Sequence, residues 1–289
     1  MEKTKLDAIS AATLILFLYF AAISASTEQT PQHNQDVSKH FVLVHGSCFG
    51  AWSWYKLVPL LKSAGHMVTP IDLAASGINL LHATDVRSFS DYSKPLMDIM
   101  ESIPSHQRVI LVGHSSGGAV ISQAMEHFPE KVSVGVFLSS AMPGPALNYS
   151  VIAKKVMGRV AHALDNKFTY DEGPNNPPTT FIFGPKFISQ VVFQYSPPED
   201  VALATMLVRS RRLVSVDGLI LSKAKYGSVA RVLIYAEEDK ILTEDVVNWT
   251  VEKNPPNRIF KISSSDHMVM LSQPIQLFTH LLSIARDFS

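Results

Sequence analysis

The chain has 289 residues, and its 25 basic and 25 acidic side chains cancel to no formal net charge at neutral pH. That length suits one sizeable core. The neutral balance, with no block of like charge, argues against nucleic acid or an anionic membrane surface as the main partner. Cys48 is the only cysteine, so no internal disulfide can form and stability must come from the core.

Taken in order, the chain opens with Lys3 and Lys5, an apolar run over residues 9–23, and the small residues Ser24, Ala25 and Ser26. This is the layout of a secretory signal peptide over residues 1–26. The apolar run is short for a full membrane span of about 20 residues. The expectation is therefore an extracellular or vacuolar product with no stable membrane insertion after cleavage. Residues 27–38 are polar and contain Pro31, which reads as a disordered lead-in to a domain at 39–289. Asn148-Tyr149-Ser150 and Asn248-Trp249-Thr250 are glycosylation sequons that matter only in that pathway.

Residues 41–44, Phe-Val-Leu-Val, predict a strand buried on both faces. The loop His45-Gly46-Ser47-Cys48-Phe49-Gly50 follows, a glycine turn whose N–H groups can face a ligand. His45 is expected to make a structural hydrogen bond. Residues 51–64 predict an amphipathic helix with Trp54, Leu57, Val58 and Leu61 on one side, stopped by Gly65. A strand is expected at 67–73. The next helix is expected at 91–103, N-capped by Ser90 and kinked or delayed at Pro95.

Residues 109–112 are a second continuous apolar run, followed by Gly113-His114-Ser115-Ser116-Gly117. From Gly118 on, Val120, Ile121, Ala124 and Met125 recur at helical spacing. Strand, tight turn and helix are the setting in which G-x-S-x-G becomes a nucleophile elbow, with the serine strained and its hydroxyl exposed. Such an elbow also needs two N–H donors for an oxyanion, and Ser47 and Ser116 are the candidates. Another strand is expected at 132–139.

The rhythm breaks over residues 143–226, where prolines interrupt short apolar segments rich in phenylalanine. An insertion this long predicts a cap over the site rather than a loose loop. Regularity returns with a strand at 232–235, then Ala236-Glu237-Glu238-Asp239-Lys240 and a helix at 243–253. A last strand at 258–262 leads into Ser263-Ser264-Ser265-Asp266-His267-Met268 and a final helix at 274–286. Strands alternating with helices predict an α/β fold with a mostly parallel sheet, helices on both faces and a site at the carboxyl ends of the strands.

Asp239 and His267 each follow a strand, and the order Ser115, Asp239, His267 is the one this elbow architecture uses. Glu237, Glu238 and Asp266 are rivals for the acid, with Asp239 preferred. Cys48 is a poor alternative nucleophile beside Ser115.

These motifs, together with Ala51-Trp52-Ser53-Trp54-Tyr55-Lys56-Leu57, Asp72-Leu73-Ala74-Ala75-Ser76-Gly77 and Phe183-Gly184-Pro185-Lys186-Phe187, resemble the plant methylesterase family of α/β-hydrolases. That group also contains hydroxynitrile lyases. The resemblance runs from about residue 39 to the end. It implies the α/β-hydrolase fold, a Ser115–Asp239–His267 triad, no metal or other cofactor, a small apolar ester as substrate, and a homodimer in some members. It also implies a substrate pocket at Gly46, Ala163, Phe187 and Met268. The lyases resemble one another in a threonine where this chain has Gly46, and in a lysine where it has Met268. Since methionine offers no cation to a departing cyanide, an esterase acting on methyl esters of jasmonate, salicylate or indole acetate type is expected. A lyase and a hydrolase-fold ligand receptor are the alternatives.

Overall fold

The computed structural model describes residues 38–160 and 162–288, and at 157, 159 and 160 the backbone alone. The signal peptide and nearly all of the lead-in expected at the N-terminus lie outside the described residues. The compact unit begins at Lys39.

Six parallel strands form the central sheet: β1 (His40–Val44), β2 (Met67–Ile71), β3 (Val109–His114), β4 (Val132–Leu138), β8 (Ala230–Ala236) and β9 (Arg258–Ile262). Their spatial order is β2-β1-β3-β4-β8-β9. Parallel strands covered on both faces have no solvent side, so β1 and β3 are buried at every position. Pro70 has no N–H to donate, and it is tolerated because β2 is an edge strand paired only with β1. Two apolar clusters fill the space on the sheet's faces. One is built on Phe41, Leu43, Trp54 and Leu281, the other on Val42, Leu111, Val120 and Met125.

The helices are α1 (Leu57–Ser63), α2 (Phe89–Ser102), α3 (Gly117–His127), α4 (Tyr149–Val160), α5 (Pro198–Leu207), α6 (Glu244–Lys253) and α7 (Pro274–Asp287), with shorter turns between. Two helix expectations need correction. The helix expected at 51–64 is broken into a 3-10 turn at Ala51–Trp54 and α1. Pro59 explains the break, because its ring collides with the carbonyl four residues back and it has no N–H to give it. The cap of α2 is Ser88, not Ser90. Its hydroxyl accepts the N–H of Asp91 at 3.0 Å while the Asp91 carboxylate accepts the N–H of Ser88, and the helix runs on through Pro95. Gly65 sits past α1 at φ +85, the left-handed position that ends a helix most cheaply in glycine.

Between β4 and β8 the chain leaves the parallel sheet. It forms α4, a three-stranded antiparallel sheet of β5 (Lys167–Thr169), β6 (Thr180–Ile182) and β7 (Arg211–Arg212), and α5.

Candidate active site

Non-glycine residues with positive φ stand just past the ends of five of the six parallel strands: Cys48, Ala75, Ser115, Ser139 and Ser264. Left-handed backbone at such residues costs of order 1–3 kcal/mol each and persists only where the surroundings enforce it. At Ser115 (φ 53) the enforcement is visible. Its N–H donates to Leu138 O at 3.1 Å, and its carbonyl accepts the Ser140 hydroxyl at 2.5 Å. Gly117 lets α3 start against the end of β1, since a Cβ there would lie 2.8 Å from the carbonyl oxygens of Val44 and His45. This strand, turn and helix make up the expected elbow.

His267 is almost fully buried, and its Nδ1 lies 2.8 Å from Asp239 Oδ2. The other oxygen of Asp239 accepts the N–H groups of Ile241 (2.8 Å) and Leu242 (2.9 Å). Burial pushes this carboxyl upward, but the imidazole and the two N–H donors outweigh it and hold the carboxyl below its usual range. The carboxylate thus has its partners built in, and it fixes the imidazole with Nδ1 as donor and Nε2 free for chemistry.

The rivals for the acid go elsewhere, and one of them, Glu238, is exposed. Glu237 pairs with Lys261 on the surface at 2.8 Å. Asp266 points away from the imidazole. It accepts the N–H of Tyr195 (2.9 Å), the hydroxyl of Ser196 (2.8 Å) and the N–H of Met268 (2.9 Å), tying the insertion to the histidine loop. Burial raises its pKa, and those hydrogen bonds offset only part of the effect.

Ser115 and His267 line the same cavity, of about 320 Å³, together with Ser47, Ser116, Phe181, Phe183 and Arg211. That volume suits a small molecule. Ser47 donates its hydroxyl to Ser116 Oγ at 2.9 Å, which links the two residues proposed as oxyanion donors. Among the described residues neither backbone N–H of this pair has a protein acceptor. His45 is structural, as expected: Nδ1 donates to Gly46 O (2.7 Å) and Nε2 accepts the N–H of Leu73 (3.1 Å). Burial lowers its pKa to about 4. Cys48 is buried, and burial pushes its thiol up to about 12, far from a reactive thiolate.

The expected pocket residues need correction, for none of the four lines this cavity. Met268 and Phe187 are wholly buried in the core, Phe187 stacked on Phe183 at 5.2 Å, and Ala163 packs against the same core. Gly46 lies behind the serine, where a Cβ would stand 2.8 Å from Ser115 Cβ, so a threonine would not fit this backbone. The lining instead comes from α4, from β6 and the residue after it, and from Arg211 and residues 213–217. Arg211 is not among the residues that the sequence motifs point to. The one signal for it is the run Arg209-Ser210-Arg211-Arg212, three arginines within four residues of the insertion.

Comparison with known proteins agrees with this architecture. Residues 41–280 match the model of the alpha/beta hydrolase family. Methyl jasmonate esterase 1 of Vitis vinifera is 45% identical over 256 residues, covering 87% of this chain and 98% of the relative. Polyneuridine aldehyde esterase of Rauvolfia serpentina is 44% identical over 260 residues, covering 87% and 97%. Among solved structures, tomato methylketone synthase I complexed with 2-tridecanone superposes with a TM-score of 0.85 at 50% identity, covering 88% of this chain and all of that one. With this fold and these relatives, the chain belongs to the plant methylesterase family of α/β-hydrolases and is a carboxylic ester hydrolase.

Proposed function

We propose that the chain hydrolyses the methyl ester of a small carboxylic acid through a Ser115–His267–Asp239 triad and an acyl-enzyme. The observation that carries this reading is the buried His267–Asp239 pair, 2.8 Å apart, opening on the same cavity as the strained Ser115. His267 Nε2 takes the proton of Ser115 Oγ as that oxygen bonds to the ester carbonyl carbon. Asp239 holds the tautomer and stabilises the imidazolium. The N–H groups of Ser47 and Ser116 receive the oxyanion, and losing one such donor typically costs about 3 kcal/mol of barrier. The bond to methoxide breaks as His267 returns the proton, and methanol leaves. Water, deprotonated by the same imidazole, then releases the acid.

The relatives' names support methyl esters as the class, and esters of jasmonate, salicylate and indole acetate type are the first to assay. Met268 and Gly46 count against a cyanohydrin lyase. The test is a panel of methyl esters with wild type and Ser115→Ala. Methanol release by the wild type and a fall of about 10⁴-fold or more in the variant, with unchanged melting temperature, are expected. Hydrolysis undiminished in Ser115→Ala would sink the reading. We also propose secretory targeting. A mature N-terminus near residue 26 on the protein purified from its native source would support it, and an intact Met1 would refute it.

A further inference from the structure

β7 is two residues long, and a strand sends successive side chains to opposite sides. Arg212 turns outward to Glu172 (3.0 Å) and Asp171 (3.9 Å). Arg211 turns inward and lines the cavity. Its guanidinium donates to Ser47 Oγ, hydrogen-bonds Tyr149, and lies 5.1 Å over the ring of Tyr92. Its Nε is buried without a partner. Among the described residues no carboxylate lies within ion-pair distance of it. Asp217, the other charged residue on the lining, is exposed and hydrogen-bonded to Ser215 at 2.7 Å. Burial raises the pKa of both the Tyr92 hydroxyl and the Cys48 thiol, so neither supplies the missing negative charge.

An arginine cannot shed its proton, and a charge drawn into an apolar cavity without a counter-ion is costly. The same fork of N–H donors fits a carboxylate. We propose that Arg211 is the counter-charge for a free carboxylate on the substrate, so that the preferred ester is the methyl half-ester of a short dicarboxylic acid. This rests on the esterase reading and narrows it. The guanidinium holds the hydroxyl of Ser47, the residue whose N–H would face the ester oxyanion. The two ends of the substrate are therefore only a few bonds apart. Reaction at the ester end is unchanged: methanol leaves, and the product is the dicarboxylate.

The test compares monomethyl glutarate with its neutral monoamide in wild type, Arg211→Met and Arg211→Lys. The wild type favours the half-ester. Arg211→Met lowers the ratio of kcat/KM for the half-ester over that for the neutral ester by about tenfold to a hundredfold, whatever loss the two esters share through Ser47. Arg211→Lys recovers part of the loss. Because the readout is a ratio within one variant, partial misfolding cannot imitate it. Calorimetry of glutarate binding to Ser115→Ala, with and without Arg211→Met, gives a second reading free of turnover. A half-ester preference equal in wild type and Arg211→Met, or equal losses on both esters, overturns the proposal and leaves the esterase reading standing. Glutarate binding that depends on Arg211 in a protein that turns over no ester would support the anion site and sink the esterase.

Discussion

The cavity has a floor and a roof that are held in different ways. The floor is the set of strand ends, where the parallel ladder runs past the strands themselves. Ser115 N–H bonds Leu138 O at 3.1 Å, Ser139 N–H bonds Ile234 O at 2.7 Å, and Glu237 N–H bonds Ile262 O at 2.9 Å. The roof comes from α4, the small antiparallel sheet, Arg211 and residues 213–217. The insertion that carries it is seated by aromatic packing, as between Phe183 and Phe49 at 5.8 Å, and by a few polar ties. Among these are Asp266 to Tyr195 and Ser196, Gln194 Nε2 to Glu238 O at 2.6 Å, and Lys240 Nζ to Gln190 O at 2.9 Å. A floor locked by backbone bonds fixes the reacting atoms whatever lines the roof. On the proposed reading the roof sets the choice of acid, and its hydrogen bond to the floor beside the serine runs from Arg211 to Ser47.

Two buried aspartates beside His267 belong to opposite sides of that division. Asp239→Asn removes the charge that fixes the imidazole, and kcat is expected to drop about 10³- to 10⁴-fold with little change in KM. Asp266→Asn, by contrast, is expected to keep kcat within about tenfold and to lower the melting temperature, since a tie worth about 1–3 kcal/mol is weakened. Equal kinetic losses in the two variants would abolish the distinction.

A second test addresses the stability of the floor. Burial lowers the pKa of His45 to about 4, and burial with His267 alongside lowers that of His114 to about 3. Both values lie below that of an unfolded histidine, so the unfolded chain binds protons first as pH falls. The stability from keeping these rings neutral is full above about pH 6.5 and is lost as pH drops towards the folded values, at about 1.4 kcal/mol per pH unit for each ring. Urea midpoints measured from pH 7.5 to 4.5 should fall accordingly. A flat profile would mean that the rings are solvated. The smallest effect belongs to the roof: Phe183→Ala should raise KM for an apolar methyl ester by about three- to thirtyfold at constant kcat. A kcat loss instead would mean that the aromatic roof also positions the serine.

What could be read in advance was local or ordered along the chain. The apolar runs marked strands because a parallel sheet buries both faces. The G-x-S-x-G stretch marked a turn because only glycine tolerates so close an approach between α3 and β1. Boundaries read less well. Ser88 and Ser90 carry the same hydroxyl three and one residues before Asp91, and only the folded backbone shows which one caps α2. The pocket read least well: Gly46, Ala163, Phe187 and Met268 went into core or backing, while Arg211 and residues 213–217 supplied the lining.

The order of Ser115, Asp239 and His267 along the chain, and their places after strands, were settled by the sequence alone, because hydrophobic period and glycine placement are short-range properties. Which carboxylate faces His267, and which side chains of the insertion reach the cavity, were decided only by the tertiary structure. Asp239 and Asp266 differ not in chemistry but in the direction their loops take across the ends of β8 and β9. The two arginines of β7 differ only in which side of a two-residue strand meets the cavity.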